Sequence, residues 1–245
     1  MIVVSLTSHG DRLQYVAKSI FSILIGSYKD VKICLTLYKD DCKYIPEDLQ
    51  LMIDANVVEL IIADNDLGPH LKYFYAMKKY KDNPLITIDD DVTYYPTTIE
   101  NLVNSYEKFP HCISARRCHK ILYTNTSLLP YKKWAWEEKN ILTPSKLLFA
   151  TGVGGVLYPP NILDIDSFNL DELLLYKYND DIYLKVIELR KKILTVWSKC
   201  KNNECHPIIW NKCITDAGLC KINNSSTSRN DEYLKNIKLF ELLNN

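Results

Sequence analysis

The chain has 245 residues, 47% of them hydrophobic and 24% charged, which is enough to bury one sizeable core and suits one large α/β domain better than two small ones. Thirty Lys and Arg balance thirty Asp and Glu, so nothing in the bulk charge argues for a polyanion partner, a local basic patch aside, and no nucleic acid is expected. No apolar stretch approaches the roughly 20 residues of a membrane span, so no transmembrane segment is expected, and any membrane contact would be peripheral.

Val3 to Thr7 reads as a first strand. The apolar run that starts at Met1 meets Ser8, His9, Gly10 and Asp11 too soon for a signal-peptide core. With eight cysteines at irregular spacing, this predicts reduced thiols and a cytoplasmic protein, compatible with the inner face of a membrane. From Arg12 to Leu24 the apolar residues Leu13, Val16, Ile20, Ile23 and Leu24 recur at helical spacing. Val31 to Leu37 is the second strand, Pro46 opens a short helix, and Val57 to Ile62 is the third strand, ending at Asp64-Asn65-Asp66-Leu67-Gly68. A helix is expected from His70 to Tyr80, broken by Asn83-Pro84. Leu85 to Ile88 then forms a short, buried-type strand that runs into Asp89-Asp90-Asp91. Pro96 opens a helix carrying Ile99, Leu102, Val103 and Tyr106.

Beyond residue 110 the pattern is less regular. Cys112 to Ala115 precedes an aromatic, basic stretch around Tyr131, Trp134 and Trp136. Phe149 to Tyr158 follows, with Gly152, Gly154 and Gly155. Asp180 to Lys191 reads as a helix, Ser225 to Asn230 as a loop and Glu232 to Leu243 as a terminal helix. The alternation predicts an α/β fold on a largely parallel sheet, one continuous unit over residues 1–245.

Three consecutive carboxylates after a strand repel one another unless they are solvated, protonated or bound to a cation. If the segment is extended, Asp89 and Asp91 point to one side and Asp90 to the other, so the outer pair can offer oxygens to a hard divalent ion. The carboxyl end of a strand is also where open α/β sheets place ligands. Solvated capping of the next segment is the alternative. Gly152-Val153-Gly154-Gly155 leads into a strand-like run rather than a helix, which argues against a dinucleotide fingerprint. It is either a bulged strand or bare backbone that a sugar can approach. Cys200, Cys205, His206, Cys213 and Cys220 lack the tight pair spacing of a zinc knuckle, and His206 is alternatively a late metal ligand.

In order, Val3 to Arg12, the strand before Asp89-Asp90-Asp91, Gly152 to Gly155 and Asn179-Asp180-Asp181 resemble bacterial GT-A glycosyltransferases that build surface polysaccharides such as capsule or lipopolysaccharide. The resemblance implies a single GT-A domain, with a nucleotide-sugar-binding half over 1–110 and an acceptor-binding half with the C-terminal helix over 111–245. It implies Mn²⁺ or Mg²⁺ at Asp89 and Asp91, and a nucleotide-diphospho-sugar donor, expected to be a UDP-sugar, at Thr7, Arg12, Asp64, Asp66, Lys72, Asp89, Asp90, Gly154 and Gly155. Asp181 would be the base of an inverting transfer to a glycan or glycolipid hydroxyl. Asp180 stands beside it, where the family pattern has Glu. Trp134, Trp136 and Tyr131 could stack on sugar faces, with Trp134 and Tyr131 the candidate acceptor residues, although aromatic residues are more often core. Both acids could instead cap their helix. The rival readings are a nucleotidyl- or phosphotransferase on the same acids and a non-catalytic glycan- or nucleotide-binding module.

Overall fold

The computed structural model describes residues 1–199, the backbone of 208–209 and residues 229–244. In chain order its strands are β1 (Ile2–Thr7), β2 (Val31–Tyr38), β3 (Val58–Ala63), β4 (Leu85–Thr87), β5 (Val92–Thr93), β6 (Cys112–Ala115), β7 (Cys118–Lys120), β8 (Leu148–Ala150), β9 (Val156–Tyr158), β10 (Leu194–Trp197) and β11 (Ile208–Ile209). The α-helices are α1 (Leu13–Leu24), α2 (Glu47–Asp54), α3 (Phe74–Lys79), α4 (Thr98–Lys108), α5 (Leu170–Leu175), α6 (Asp180–Arg190), α7 (Arg229–Asn236) and α8 (Leu239–Asn244).

Seven strands form one sheet in the order β10-β6-β9-β4-β1-β2-β3. All of its neighbours pair in parallel except β9, which runs antiparallel to both β4 and β6. Val3 and Val4 illustrate how the sheet separates two cores. Val3 packs with Leu85, Tyr73, Phe74 and Tyr183 on one face, while Val4 packs with Ile86 and the α1 residues Leu13, Val16 and Ile20 on the other. That split is the strand period of two acting on an apolar run buried on both faces. A third cluster joins α6, α7 and α8 to the aromatic stretch: Ile182, Val186, Leu234, Leu239, Tyr131, Trp134 and Phe149.

Two expected helices are divided. Between His70 and Tyr80 the chain makes a 3-10 turn over Gly68–Lys72, breaks at Tyr73 (φ −126°, ψ −35°) and only then enters α3. His70, Leu71, Lys72, Tyr73 and Phe74 are buried in succession across this break. The terminal helix is two helices, separated where Lys238 takes a left-handed φ of 54°, the conformation that ends helices. Arg229 and Asn230 open α7 instead of closing a loop, and 225–228 lie outside the described residues. No helix among the described residues is long and apolar enough to cross a membrane.

Candidate active site

β1 and β4 are parallel neighbours, with Ser5 opposite Thr87, so Ser8 and the acidic run emerge side by side at the carboxyl end of the sheet. The run itself bends rather than extending, and the simple alternation of its side chains is lost. Asp90 is buried, taking a hydrogen bond from the Ser8 hydroxyl at 2.6 Å and a two-point contact from Arg12 Nε and Nη2. Arg12 Nη2 also reaches Asp91 Oδ2 at 3.0 Å. One guanidinium is thus gripped by two neighbouring carboxylates. Burial opposes the Arg12 charge, but Asp90, Asp91 and Asp89 outweigh it and raise the Arg12 pKa. Asp91 is pushed up to about 6 by burial and by Asp89, against the pull of Arg12.

Lys72 connects this run to the start of α6. Its buried ammonium lies 2.9 Å from Asp89 Oδ1 and 3.1 Å from Asp180 Oδ2. Despite its burial the pKa of Lys72 is raised well above normal, chiefly by Asp180 and then Asp89. It is a buried, doubly paired charge rather than a solvated one. Asn179 is the N-cap of α6, accepting from the Ile182 N–H at 3.1 Å, so neither Asp180 nor Asp181 is consumed as the cap. Asp181 Oδ1 instead accepts from the Gly152 N–H at 3.0 Å. Burial disfavours the Asp180 charge, but Lys72 outweighs it and holds Asp180 low. Burial and the Asp180 charge push Asp181 up to about 8. Two adjacent acids with opposed shifts are a common signature of divided proton roles.

Several residues that complete this arrangement went unnoticed in the sequence. The Tyr94 hydroxyl accepts from the Asp89 N–H at 2.8 Å and donates to the Val153 carbonyl at 3.2 Å, tying the acidic run to the glycine loop. Ser19 and Ser22 of α1 hold the following segment, through Val92 O at 2.8 Å and the Tyr94 N–H at 3.1 Å. His70, buried beneath Lys72, lies between Tyr73 Oη (2.6 Å) and Tyr176 O (3.0 Å). Burial lowers its pKa, so it is the neutral ring that donates to the carbonyl and accepts from the phenol.

The other predicted site residues are scattered. Thr7 donates its hydroxyl to Thr36 O at 2.7 Å, inside the sheet. Asp64 is exposed, and Asp66 is exposed and paired with Lys177 at 2.7 Å. Of the two readings of the glycine run, bare backbone open to a sugar does not hold at Gly154 and Gly155. A Cβ on Gly154 would meet Arg117 and Arg116 within 3.0–3.2 Å, and one on Gly155, whose φ of 90° suits glycine, would face Leu102. The glycine beside the acids is Gly152, where a Cβ would stand 3.2 Å from Lys72 Nζ and 3.4 Å from Asp181 Oδ1. Tyr131 and Trp134, expected as acceptor platforms, are buried and pack on Phe149, with the Trp134 indole N–H bonded to Leu129 O at 3.0 Å. Their faces are spent on the core. The cysteines Cys200, Cys205, Cys213 and Cys220, with His206, lie outside the described residues. Cys34, Cys42, Cys112 and Cys118 are free thiols.

Four carboxylates pair with the two cations Lys72 and Arg12, and a fifth, Asp181, stands beside them on the Gly152 N–H. Of the acidic run, Asp90 is buried, while Asp89 and Asp91 keep 25% and 18% of their side chains exposed. Hard carboxylate oxygens in a locally acidic setting suit a divalent cation such as Mg²⁺ or Mn²⁺. Among the described residues no three His, Cys, Asp or Glu side chains gather into a ready-made cage. A cation here therefore needs further ligands, as Mg²⁺ does when it is shared between one or two carboxylates and substrate phosphates.

No protein-family model matches the chain, and no curated protein sequence matches it. Solved structures do. Staphylococcus aureus TarS 1-349 in complex with UDP aligns with TM-score 0.53 and 11% identity, over 96% of this chain and 70% of that one. A further S. aureus TarS structure aligns with TM-score 0.50 and 11% identity, over 96% of this chain and 42% of that one. The chain spans 58% of another TarS 1-349 structure, at 10% identity and TM-score 0.49. At such identity the likeness establishes architecture alone: the chain has the GT-A fold, a mostly parallel sheet flanked by helices.

Proposed function

We propose that this chain is a metal-dependent glycosyltransferase that moves a sugar from a nucleotide-diphospho-sugar to a hydroxyl of a glycan acceptor, in surface-polysaccharide or glycoconjugate synthesis. The observation that carries the reading is Lys72, which ties Asp89 of the acidic run to Asp180 beside Asp181. The residues suited to a diphosphate and those suited to an acceptor hydroxyl thereby form one network on a GT-A sheet. TarS, of the same fold, was crystallised with UDP, which supports a UDP-sugar as donor.

In this reading Asp89 and Asp91 would hold Mn²⁺ or Mg²⁺, which would supply neutralisation of the charge that develops on the leaving diphosphate. Arg12 and Lys72 position those two acids and add positive charge beside the same phosphates. Asp181 takes the proton of the acceptor hydroxyl. Held near 8 by burial and Asp180, it is a base poised close to neutral pH. Residues 1–110 supply the donor side, and Gly152 and α6 the acceptor side.

The deciding experiment incubates the protein with UDP-sugars and Mn²⁺ and measures released phosphates. Release of UDP, abolished by chelator and by Asp91→Asn, is the expected result. Release of pyrophosphate or inorganic phosphate instead of UDP would make the chain a nucleotidyl- or phosphotransferase. No turnover and no UDP binding with Mn²⁺ would sink both catalytic readings.

A further inference from the structure

One large aromatic side chain of the Tyr131–Trp136 stretch stays exposed, and Arg117 links it through Thr151 to the acid cluster. Trp136 is 45% exposed, whereas Tyr131, Trp134 and Phe149 behind it are buried. Its ring is held on three sides. His119 lies 4.5 Å away at a shallow tilt, Tyr131 meets it edge-on at 5.8 Å, and the Arg117 guanidinium sits 5.8 Å from its centroid.

The backbone that presents this ring is strained. Glu137 follows Trp136 with φ 56°, a left-handed conformation that costs a non-glycine residue on the order of 1 kcal/mol and clusters at functional sites. Its N–H donates to His119 Nδ1 at 3.1 Å. Burial, with Arg117 alongside, pushes His119 down to about 3, so the ring stays neutral and Nδ1 remains an acceptor. The Glu137 carboxylate accepts from Arg117 Nε at 3.3 Å, and Arg117 Nη1 donates to the Thr151 hydroxyl at 3.2 Å. Thr151 adjoins Gly152, the residue bonded to Asp181. Among the described residues Arg117 Nη2 has no protein partner.

An open indole suits the apolar C–H face of a sugar ring, since aromatic residues with one wet face are enriched at binding surfaces. A guanidinium edge suits phosphate or carboxylate oxygens. We propose that Trp136 and Arg117 form the acceptor subsite and take an anionic sugar unit, its ring on the indole and its phosphate or carboxylate on Arg117 Nη2. Only the word acceptor rests on the glycosyltransferase reading; binding of an anionic sugar at Trp136 does not.

The test titrates the full chain with glucose, glucuronate and glucose 6-phosphate while following the tryptophan indole N–H resonances, with the Trp136 signal assigned by Trp136→Phe. At least one anionic sugar should move the Trp136 signal at a concentration about fivefold below that for glucose, a difference of roughly 1 kcal/mol. A response confined to glucose 6-phosphate assigns phosphate, and one confined to glucuronate assigns carboxylate. Arg117→Gln should abolish the preference and Arg117→Lys, which keeps the charge, should retain part of it. Equal responses to all three sugars, a response confined to the other indoles, or a preference that survives Arg117→Gln would overturn the proposal. Titration of the same sample with UDP and Mn²⁺ tests the donor side separately, so either idea can fail while the other stands.

Discussion

Two buried lysines solve the same electrostatic problem differently. Lys185, on α6, is 1% exposed and meets one carboxylate, Glu188, at 2.8 Å; it also donates to Leu148 O, and Thr195 donates to Glu188, each at 2.8 Å. One positive charge faces one negative charge, and neutral dipoles complete the set. Lys72 faces two carboxylates, Asp89 and Asp180, with Asp181 close behind. A pair built for structure closes its charge, because an uncompensated buried ion is costly. A cluster that leaves acids in excess is held at a cost, and cations and protons are what such a site recruits.

The comparison breaks most sharply at Asp181. Asp181→Asn should lower sugar transfer by about 10²–10⁴-fold without unfolding the protein, measured as UDP release per folded molecule; near wild-type turnover would remove the base assignment. At the balanced pair the effect should fall on stability instead. Lys185→Met should cost about 3–5 kcal/mol by stranding Glu188, read from urea unfolding. The double change Lys185→Met with Glu188→Leu should recover most of that. If the single change proves harmless, Lys185 is not part of a closed pair.

The proton-linked prediction is smaller. Asp181 is held near 8 against an ordinary value of 3.8, so the folded state binds the extra proton between those limits. Its contribution to stability is present at low pH and is lost as pH rises from about 4 to about 8, at up to about 1.4 kcal/mol per pH unit. Asp180 is held low, and its stabilising share is lost only as pH falls below the ordinary carboxylate range. Asp181→Asn should therefore flatten the fall in melting temperature between pH 5 and pH 8; an unchanged slope would show that Asp181 titrates normally. The smallest effect is expected at Gly152→Ala. The new Cβ meets the flexible end of Lys72 at 3.2 Å, so stability should change by less than about 1 kcal/mol. Activity should fall roughly tenfold, equivalent to about 1.4 kcal/mol, as Lys72 is displaced from its two acids. Full activity in this variant would show that the lysine has slack.

Local patterns made the parallel half of the sheet readable. β1, β2 and β3 are apolar runs bounded by turns, and α1 carries its core face at helical spacing. Leu85-Ile86-Thr87 running into three aspartates marks the candidate site, because sequence alone joins those residues. What the sequence could not supply was pairing across distance. Asp90, expected to point away from the cation, is locked by Arg12 and Ser8, 78 and 82 residues earlier. Lys72 reaches Asp180 across more than a hundred residues. Tyr131 and Trp134 were misjudged because ring chemistry is the same in a core and on a platform; only the packing of Phe149 and α6 against them decides. The break at Tyr73 was invisible for a related reason: a run of buried residues is consistent with helix until its neighbours are known.

The reversed direction of β9 acts as a gauge for the whole site. Thr87 is paired with Val156, so the ladder fixes where two short leads begin, one running forward to Asp89 and one running back to Gly152. Neither lead is long enough to absorb an error. A slip of one residue in that pairing, about 3.3 Å along the strand, would exceed the 3.0 Å hydrogen bond between Gly152 and Asp181 and turn each side chain of β9 to the opposite face. The spatial tolerance of the chemistry is therefore inherited from three backbone pairings, and selection on the reaction would reach strand residues that touch no substrate.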